Sequence, residues 1–302
     1  METNGAINVY KEKGYTSHDA VNIIKRTLKA KTGHTGTLDP AATGVLPIVL
    51  SYSTKLSDYI MGTDKVYEAE IHFGITTDTQ DMSGNILLDN RPIQVEKRDF
   101  LEVLNQFTGE ISQVPPMYSA IKIGGEKLYN LARKGIEVER KPRNVTIHSI
   151  DLIHFDCKMA RIRVNCSKGT YVRTLCADIG AKLGSGAAMG ELLRTRSGDF
   201  SIKNSLKLDE VKSLFAEGKL ADYIIMPEEI LKTYSPIYAH DEAIKPIKNG
   251  NTFSYKFIYG QELKVNEKYR LYINKEQFIG LYTLRADGFL KPDIILTDLQ
   301  RV

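Results

Sequence analysis

The stretch Lys31 to Pro47, KTGHTGTLDPAATGVLP, sets Gly33, Gly36 and Gly44 among His34, Thr35, Thr37 and Asp39 and closes on an apolar run before Pro47. Glycines this close together permit backbone geometry that other residues avoid, so neither regular helix nor strand is expected before Pro40. The stretch reads as a shaped loop. Asp39 precedes Pro40, which biases the aspartate toward an extended backbone and fixes the chain leaving it. A carboxylate on a stiffened loop between basic and apolar segments is a candidate for chemistry. The same pattern, Asp beside Gly and Pro, is also the ordinary signature of a turn or a helix cap, and the loop alone leaves both open.

The surrounding chain says what such a loop is set into. Ile7 to Tyr10 is a short strand, followed by a turn at Gly14. Thr16 and Asp19 have the spacing of a capping box, and Val21, Ile24 and Leu28 repeat at helical spacing, which predicts a helix of about twelve residues. Lys25, Arg26, Lys29 and Lys31 then lead into the loop. Beyond it, Val45 to Leu50 is expected as a buried strand and Lys55 to Met61 as a short helix. Tyr67, Ala69, Ile71 and Phe73 alternate with Glu68, Glu70 and His72, the period-2 pattern of a half-buried strand, with Tyr67 pointing inward. On pattern alone Tyr67 is a core tyrosine.

Thr76 to Gly84 is turn-rich, Val95 to Phe107 helical, and Gln113 to Lys122 an extended connector because of Pro115 and Pro116. A helix over Lys127 to Lys134 and a hairpin of Asn144 to Phe155 with Ala160 to Cys166 follow. In the next helix Val172, Leu175, Ile179 and Leu183 form the apolar stripe, and Arg173 falls about 100° from Val172 at the positive N-terminal end. An arginine there does not favour the helix dipole, so its partner should be a carboxylate brought from elsewhere. Gly184 to Gly190 is expected as a flexible connection, Leu192 to Phe200 as a strand carrying Arg194 and Arg196, and Leu208 to Glu217 as a last helix. From Tyr234 onward short β-like runs recur at Thr252 to Tyr259, Lys268 to Ile273, Gln277 to Leu284 and Lys291 to Leu299, the spacing of a small, mostly β domain.

Composition excludes several classes. Hydrophobic residues at 42% and charged residues at 26% fit a soluble globular chain. No apolar run approaches the roughly 20 residues that span a bilayer, and the first residues lack the charged and apolar regions of a secretory signal; a cytoplasmic protein is expected. Cys157, Cys166 and Cys176 are an odd count without C-x-x-C spacing, and the six histidines show no ligand spacing, so neither a disulfide framework nor a metal site is expected. A net charge of +4 is only mildly basic. Its distribution says more: the Lys25 to Lys31 cluster and a second at Arg133, Lys134, Arg140, Lys141 and Arg143 flank the candidate site, as expected for a polyanion partner.

GHTGTLDPAATGVLP closely resembles the catalytic-loop motif of the TruB-type tRNA pseudouridine synthases. The resemblance continues through DKVYEAEIHFGITTDTQD (Asp64 to Asp81), QVPPMYSAIKIGGEKLYNLARKGIEV (Gln113 to Val138), CSKGTYVRTLCADIGAKLGSGA (Cys166 to Ala187) and LLRTRSG (Leu192 to Gly198), in the family's order and at about its spacing. One departure lies near the start, where the family often has Lys-Pro-x-Gly and this chain has Lys11, Glu12, Lys13, Gly14.

The resemblance implies an α+β pseudouridine synthase fold: a mixed, mainly antiparallel sheet flanked by helices over residues 1–232, and a small PUA-like β domain over residues 233–302. It implies isomerisation of uridine 55 in the tRNA T-loop, on a nucleotide turned out of its stack. Asp39 would then be the nucleophile, Arg173 its partner, and Tyr67 a catalytic wall of the pocket that stacks on uracil. Tyr171 and Leu192 would line the uracil site, Gly36 and Leu38 would meet the substrate from the loop, and His34 would fill the vacated stack. The conversion breaks the C1′–N1 bond and rejoins the base through C5, with no net redox change, so no cofactor and no metal are expected. The expected partner is tRNA, through its T-loop and stem, bound by a monomer without membrane contact. Two other classes stand beside this reading: a non-catalytic tRNA-binding or tRNA-folding module, and a hydrolase pairing Asp39 with Asp64 or Asp78.

Overall fold

The computed structural model describes residues 3–119, 121–260 and 262–301. Its larger part is an 11-stranded mixed sheet. Along its main path the strands run Leu206–Lys207, Gly5–Lys11, Thr43–Leu50, Ala187–Ser197, Lys65–Phe73, Met159–Cys166, Arg143–Asp156 and Gly109–Gln113. Most pairs are antiparallel, but Ala187–Ser197 joins Thr43–Leu50 in parallel, with Arg194 opposite Gly44. That parallel contact brings two strands distant in sequence together at the exit of the glycine-rich loop.

One face of the sheet carries the main core, and the inward set of the Lys65–Phe73 strand shows why. Ala69, Ile71 and Phe73 are fully buried, whereas Glu68 and Glu70 turn outward to Arg163 and Arg161 across the neighbouring strand. Helices Ser17–Leu28, Lys97–Gln106 and Val172–Lys182 cover the inward face, contributing Ile24, Phe100, Leu175 and Ile179 among others. The first of these begins as its sequence predicts: the Thr16 hydroxyl accepts from the Asp19 N–H, and the Asp19 carboxylate accepts from the Thr16 N–H.

The C-terminal part is a five-stranded sheet in the order Ser235–Ala239, Lys268–Ile273, Gln277–Leu284, Phe289–Ile295, Phe253–Ser254, with its own core around Ile237, Leu271, Ile279 and Leu290. It packs on the first part through Leu56, Leu231, Leu281 and Leu296, and Arg270 ties the junction by donating to the carbonyls of Tyr234 and Glu228. Among the described residues no helix is long and apolar enough to cross a membrane.

Four local expectations need correction. Gly33 does not prevent pairing: Thr32–His34 is a short strand against Ile48, Val49 and Leu50, and only the chain after it is irregular. Ala187 to Gly190 is not a flexible connection but the start of the Ala187–Ser197 strand, in register with Phe73, His72 and Ile71; Gly180 of the Arg173 helix lets the strand lie close, because a Cβ there would come within 2.3 Å of Ala187 N. The run expected from Thr252 is broken by a helical turn, pairing as a strand over Phe253–Ser254 and again by a single bridge from Ile258 to Ala239, and Ser235–Ala239 is a strand that the sequence pattern did not single out. Ala120, inside the connector expected over 113–122, lies outside the described residues.

Candidate active site

The loop from Thr35 to Ala42 is held from beneath by main-chain partners. Thr35 N–H donates to Pro47 O, and Ala42 N–H turns back to Asp39 O. The Ser17 hydroxyl accepts from Leu38 N–H at 2.8 Å and donates to Leu38 O at 3.0 Å. Gly14 N–H and the Lys11 ammonium both donate to Pro40 O. Lys11 is fully buried, with further bonds to Tyr15 O and Glu12 O, and burial pushes its ammonium down to about 8 against the opposing pull of the Asp39 carboxylate. So although the Lys-Pro-x-Gly proline is missing, the entry turn is fixed by lysine-to-carbonyl bonds.

Asp39 emerges from this frame with its side chain 44% exposed. It stands partly open and not enclosed. Its partner is Arg173, whose Nε lies 3.3 Å from Asp39 Oδ2 while the guanidinium itself is only 8% exposed. Arg173 also lies 3.5 Å from Asp81 Oδ2 and donates to Thr79 O at 3.3 Å and Tyr118 O at 2.7 Å. One planar fork thus gathers four groups from three segments of chain, as a point charge could not. Asp81 is in turn oriented by the hydroxyls of Thr79 and Ser83 and by Ser83 N–H.

Tyr67 lies opposite Arg194 in the sheet register, and Leu192 lies opposite Ala69, so all three point to the core face on which Arg173 sits. Burial raises the Tyr67 phenol above its ordinary value, partly offset by the nearby Arg194 charge. At neutral pH it is a protonated hydroxyl. Leu192 is 9% exposed. Tyr171 caps the Arg173 helix: its N–H donates to Gln113 Oε1 at 3.1 Å and its carbonyl accepts from Gln113 Nε2 at 3.3 Å. His34 is half-buried at the loop entry, its Nδ1 facing Gly36 N–H at 3.4 Å. Burial and then Arg194 lower its affinity for a proton, so the ring is neutral and suited to stacking. Gly36 adopts φ +128°, a backbone conformation that favours glycine. Leu38 departs from expectation: its side chain is 4% exposed and belongs to the core, so it anchors the loop and does not face a substrate.

Asp39, Arg173, Tyr67 and Leu192 therefore lie toward the core face of the sheet, with Tyr171 at the cap of the Arg173 helix and His34 and Gly36 at the loop entry. The carboxylates weighed for a two-acid hydrolase do not join them: Asp64 pairs with His148 at 3.1 Å, and Asp78 is engaged by Asn85. The acid that does stand beside Arg173 is Asp81, which sequence reasoning passed over because nothing separates it from the other acidic and hydroxyl residues of TTDTQD. Lys11 and Arg194 were missed for a different reason. Each sits in a strand among residues whose period explains them as surface cations, and only the fold reveals that they are buried. Burial raises Cys166 to about 11 and Cys176 further, which removes both as nucleophiles at neutral pH. Among the described residues no three His, Cys, Asp or Glu side chains are grouped to hold a metal.

A mixed sheet with a loop aspartate forked to a helix arginine, beside a strand tyrosine, has a class: this is a pseudouridine synthase fold, and a solved structure of similar architecture bears that out. A solved Cbf5–Nop10–Gar1 complex contains a chain that superposes with a TM-score of 0.74 over 99% of this chain and 86% of its own, at 25% identity. Within that class the chain belongs to the TruB family. The TruB family pseudouridylate synthase N-terminal domain matches residues 25–172, and the tRNA pseudouridylate synthase B C-terminal domain matches residues 173–232. A tRNA pseudouridine synthase B of Clostridium tetani is 46% identical over 95% of this chain and 97% of its own length. That of Alkaliphilus oremlandii is 41% identical over 94% of both.

Proposed function

We propose that this chain converts uridine 55 of the tRNA T-loop to pseudouridine, with Asp39 as the nucleophile and a turned-out uridine as the substrate. The observation that carries the reading is the Asp39–Arg173 pair: a half-exposed carboxylate on a braced loop, oriented by a buried guanidinium, on the face where Tyr67 and Leu192 offer a flat apolar wall. Family membership supplies the reaction class, and position 55 follows the family's known substrate. Asp39 attacks the nucleotide, the C1′–N1 bond opens, the uracil turns against Tyr67 and rejoins through C5, and the C5 proton departs. Asp39 is released as a free carboxylate, N1 exchanges its bond to C1′ for a proton, and C5 exchanges its proton for the bond to C1′, so the reaction balances without an added group.

Arg173 holds the carboxylate toward the substrate, Tyr67 and Leu192 retain the base, Tyr171 frames the pocket from the helix cap, and the neutral His34 occupies the stack the base leaves. Residues 1–232 form the catalytic unit and residues 233–302 a PUA-like unit in this reading, and the protein acts on tRNA as a cytoplasmic monomer.

Asp39→Asn keeps the shape of the side chain and removes the nucleophile. Tritium release from C5-labelled tRNA is expected to vanish, with tRNA affinity retained. Appreciable turnover by the variant removes Asp39 from the role and favours a tRNA-binding or tRNA-folding module; free uracil among the wild-type products favours a hydrolase.

A further inference from the structure

We infer that Arg194 is a positioning residue for this reaction, a buried guanidinium that ties the entry of the Asp39 loop to its exit. The inference rests on the proposed role of Asp39 and adds a residue to it. Arg194 is 1% exposed, the bulkiest fully buried side chain described. Its Nη2 donates to Gly36 O at 3.0 Å and its Nε to Val45 O at 2.7 Å. Gly36 is three residues before Asp39 and Val45 six after it, so one planar group spans the loop with Asp39 between its two anchors.

The main chain of Arg194 reinforces this. It pairs in parallel with Gly44, and a Cβ on Gly44 would come within 2.2 Å of Arg194 O. The exit of the loop is therefore pressed against the backbone of the same residue whose side chain holds the entry.

A neutral donor would suffice for bracing alone. Among the described residues, however, no carboxylate pairs with Arg194; its hydrogen-bond partners are carbonyls. A buried cation without a counter-ion is costly, and its field reaches the groups around it: Tyr67, His34 and Lys11 all feel the Arg194 charge. Arg173 touches the Asp39 carboxylate directly. Arg194 acts on it through the loop backbone.

Three variants test this beside wild type: Asp39→Asn, Arg194→Lys and Arg194→Met. Each is measured by single-turnover pseudouridine formation, tRNA affinity and thermal midpoint. Lysine keeps the charge but cannot bridge both carbonyls. A displacement of the loop by about 1 Å is worth roughly 100-fold in rate, so Arg194→Met should lose about that and Arg194→Lys about tenfold, with tRNA affinity within about threefold of wild type. In Arg194→Met the imidazole signal of His34, assigned by its loss in His34→Gln, should titrate at higher pH because a neighbouring positive charge is gone. Wild-type rate in Arg194→Lys, or a loss confined to tRNA affinity, overturns the inference. If Arg194→Met does not fold, Arg194→Lys decides alone. An active wild type with an inactive Asp39→Asn keeps the proposed function standing whichever way Arg194 falls, and an active Asp39→Asn sinks the proposed function itself.

Discussion

Both sheets of this molecule pack on hydrophobic cores, yet they treat buried polarity in opposite ways. Among the described residues every buried polar or charged side chain lies at or before Ser197, and four are cations: Lys11, Lys65, Arg173 and Arg194. The core of the C-terminal sheet is aliphatic and aromatic, and among its described side chains the polar atoms are the hydroxyls of Tyr269 and Tyr282. Taking a cation out of water costs on the order of several kcal/mol unless it is well partnered. A sheet built only to be stable would not carry four. The difference teaches where to look for chemistry: three of the four, Lys11, Arg173 and Arg194, touch one loop of the large sheet, and the small sheet, made by the same chain, accepts almost none.

The comparison breaks most readily at Arg173. If the large sheet keeps buried cations for what they orient, replacing the fork by a point charge should be nearly as damaging as losing it. Arg173→Lys leaves a positive charge, but one nitrogen cannot serve Asp39, Asp81, Thr79 O and Tyr118 O together. Single-turnover rate on tRNA should fall by about 10²- to 10³-fold. A lysine variant near the wild-type rate would show that charge alone is what the site requires.

The sequence foretold this arrangement unevenly, for physical reasons. Local signals carried well. The Thr16–Asp19 capping box, the alternation through Tyr67 and Phe73, and the stripe of Val172, Leu175 and Ile179 are set by neighbours a few residues away, and the elements stand within a residue or two of their expected ends. That Arg173 wanted a carboxylate from afar was legible from its place at a helix N-terminus. What was not legible depends on strands that pair across the chain. Nothing near Arg194 shows that residue 194 will lie against Gly44, and nothing near Lys11 shows that the loop will close over it. Leu38 read as a loop residue and is a core residue, because Ser17 on a distant helix fixes its backbone. The catalytic roles came from the family resemblance; the braces behind them came only from the fold.

A smaller effect concerns stability. Burial pushes Lys11 and Lys65 from the ordinary lysine value of 10.5 down to about 8. Between those values the unfolded chain binds more protons than the folded one, so stability rises with pH. The cost is present in full below about pH 8 and fades as pH climbs. The urea midpoint should therefore increase from about pH 7.5 to about pH 9.5, by about 1 kcal/mol per lysine at pH 9. Lys65→Met, which removes an ammonium bonded to Met61 O and Thr63 O, should flatten part of that rise. Above the ordinary tyrosine range the sign reverses, because Tyr67 and Tyr282 hold their protons longer folded than unfolded. A midpoint that falls steadily from neutrality upward would mean the buried lysines are relieved by solvent and the contrast between the sheets is shallower than their geometry suggests.

The smallest effect probes the other side of the contrast. Tyr282 is fully buried in the C-terminal core, packed at 5.8 Å between ring centroids on Phe253, and its hydroxyl has no hydrogen-bond partner among the described residues. Tyr269 shows what a satisfied hydroxyl looks like in the same sheet, accepting from Lys264 N–H at 2.7 Å. An unpartnered buried hydroxyl costs about 1–3 kcal/mol, while the ring contributes through packing that phenylalanine preserves. Tyr282→Phe should thus raise stability by about 1 kcal/mol in urea unfolding and leave single-turnover rate unchanged. The substitution also removes one group whose proton is held more tightly folded than unfolded, so the variant should lose less stability than wild type above the ordinary tyrosine range. If instead Tyr282→Phe weakens the fold, the hydroxyl is doing work inside the small sheet, and buried polarity would no longer separate the two halves of the molecule.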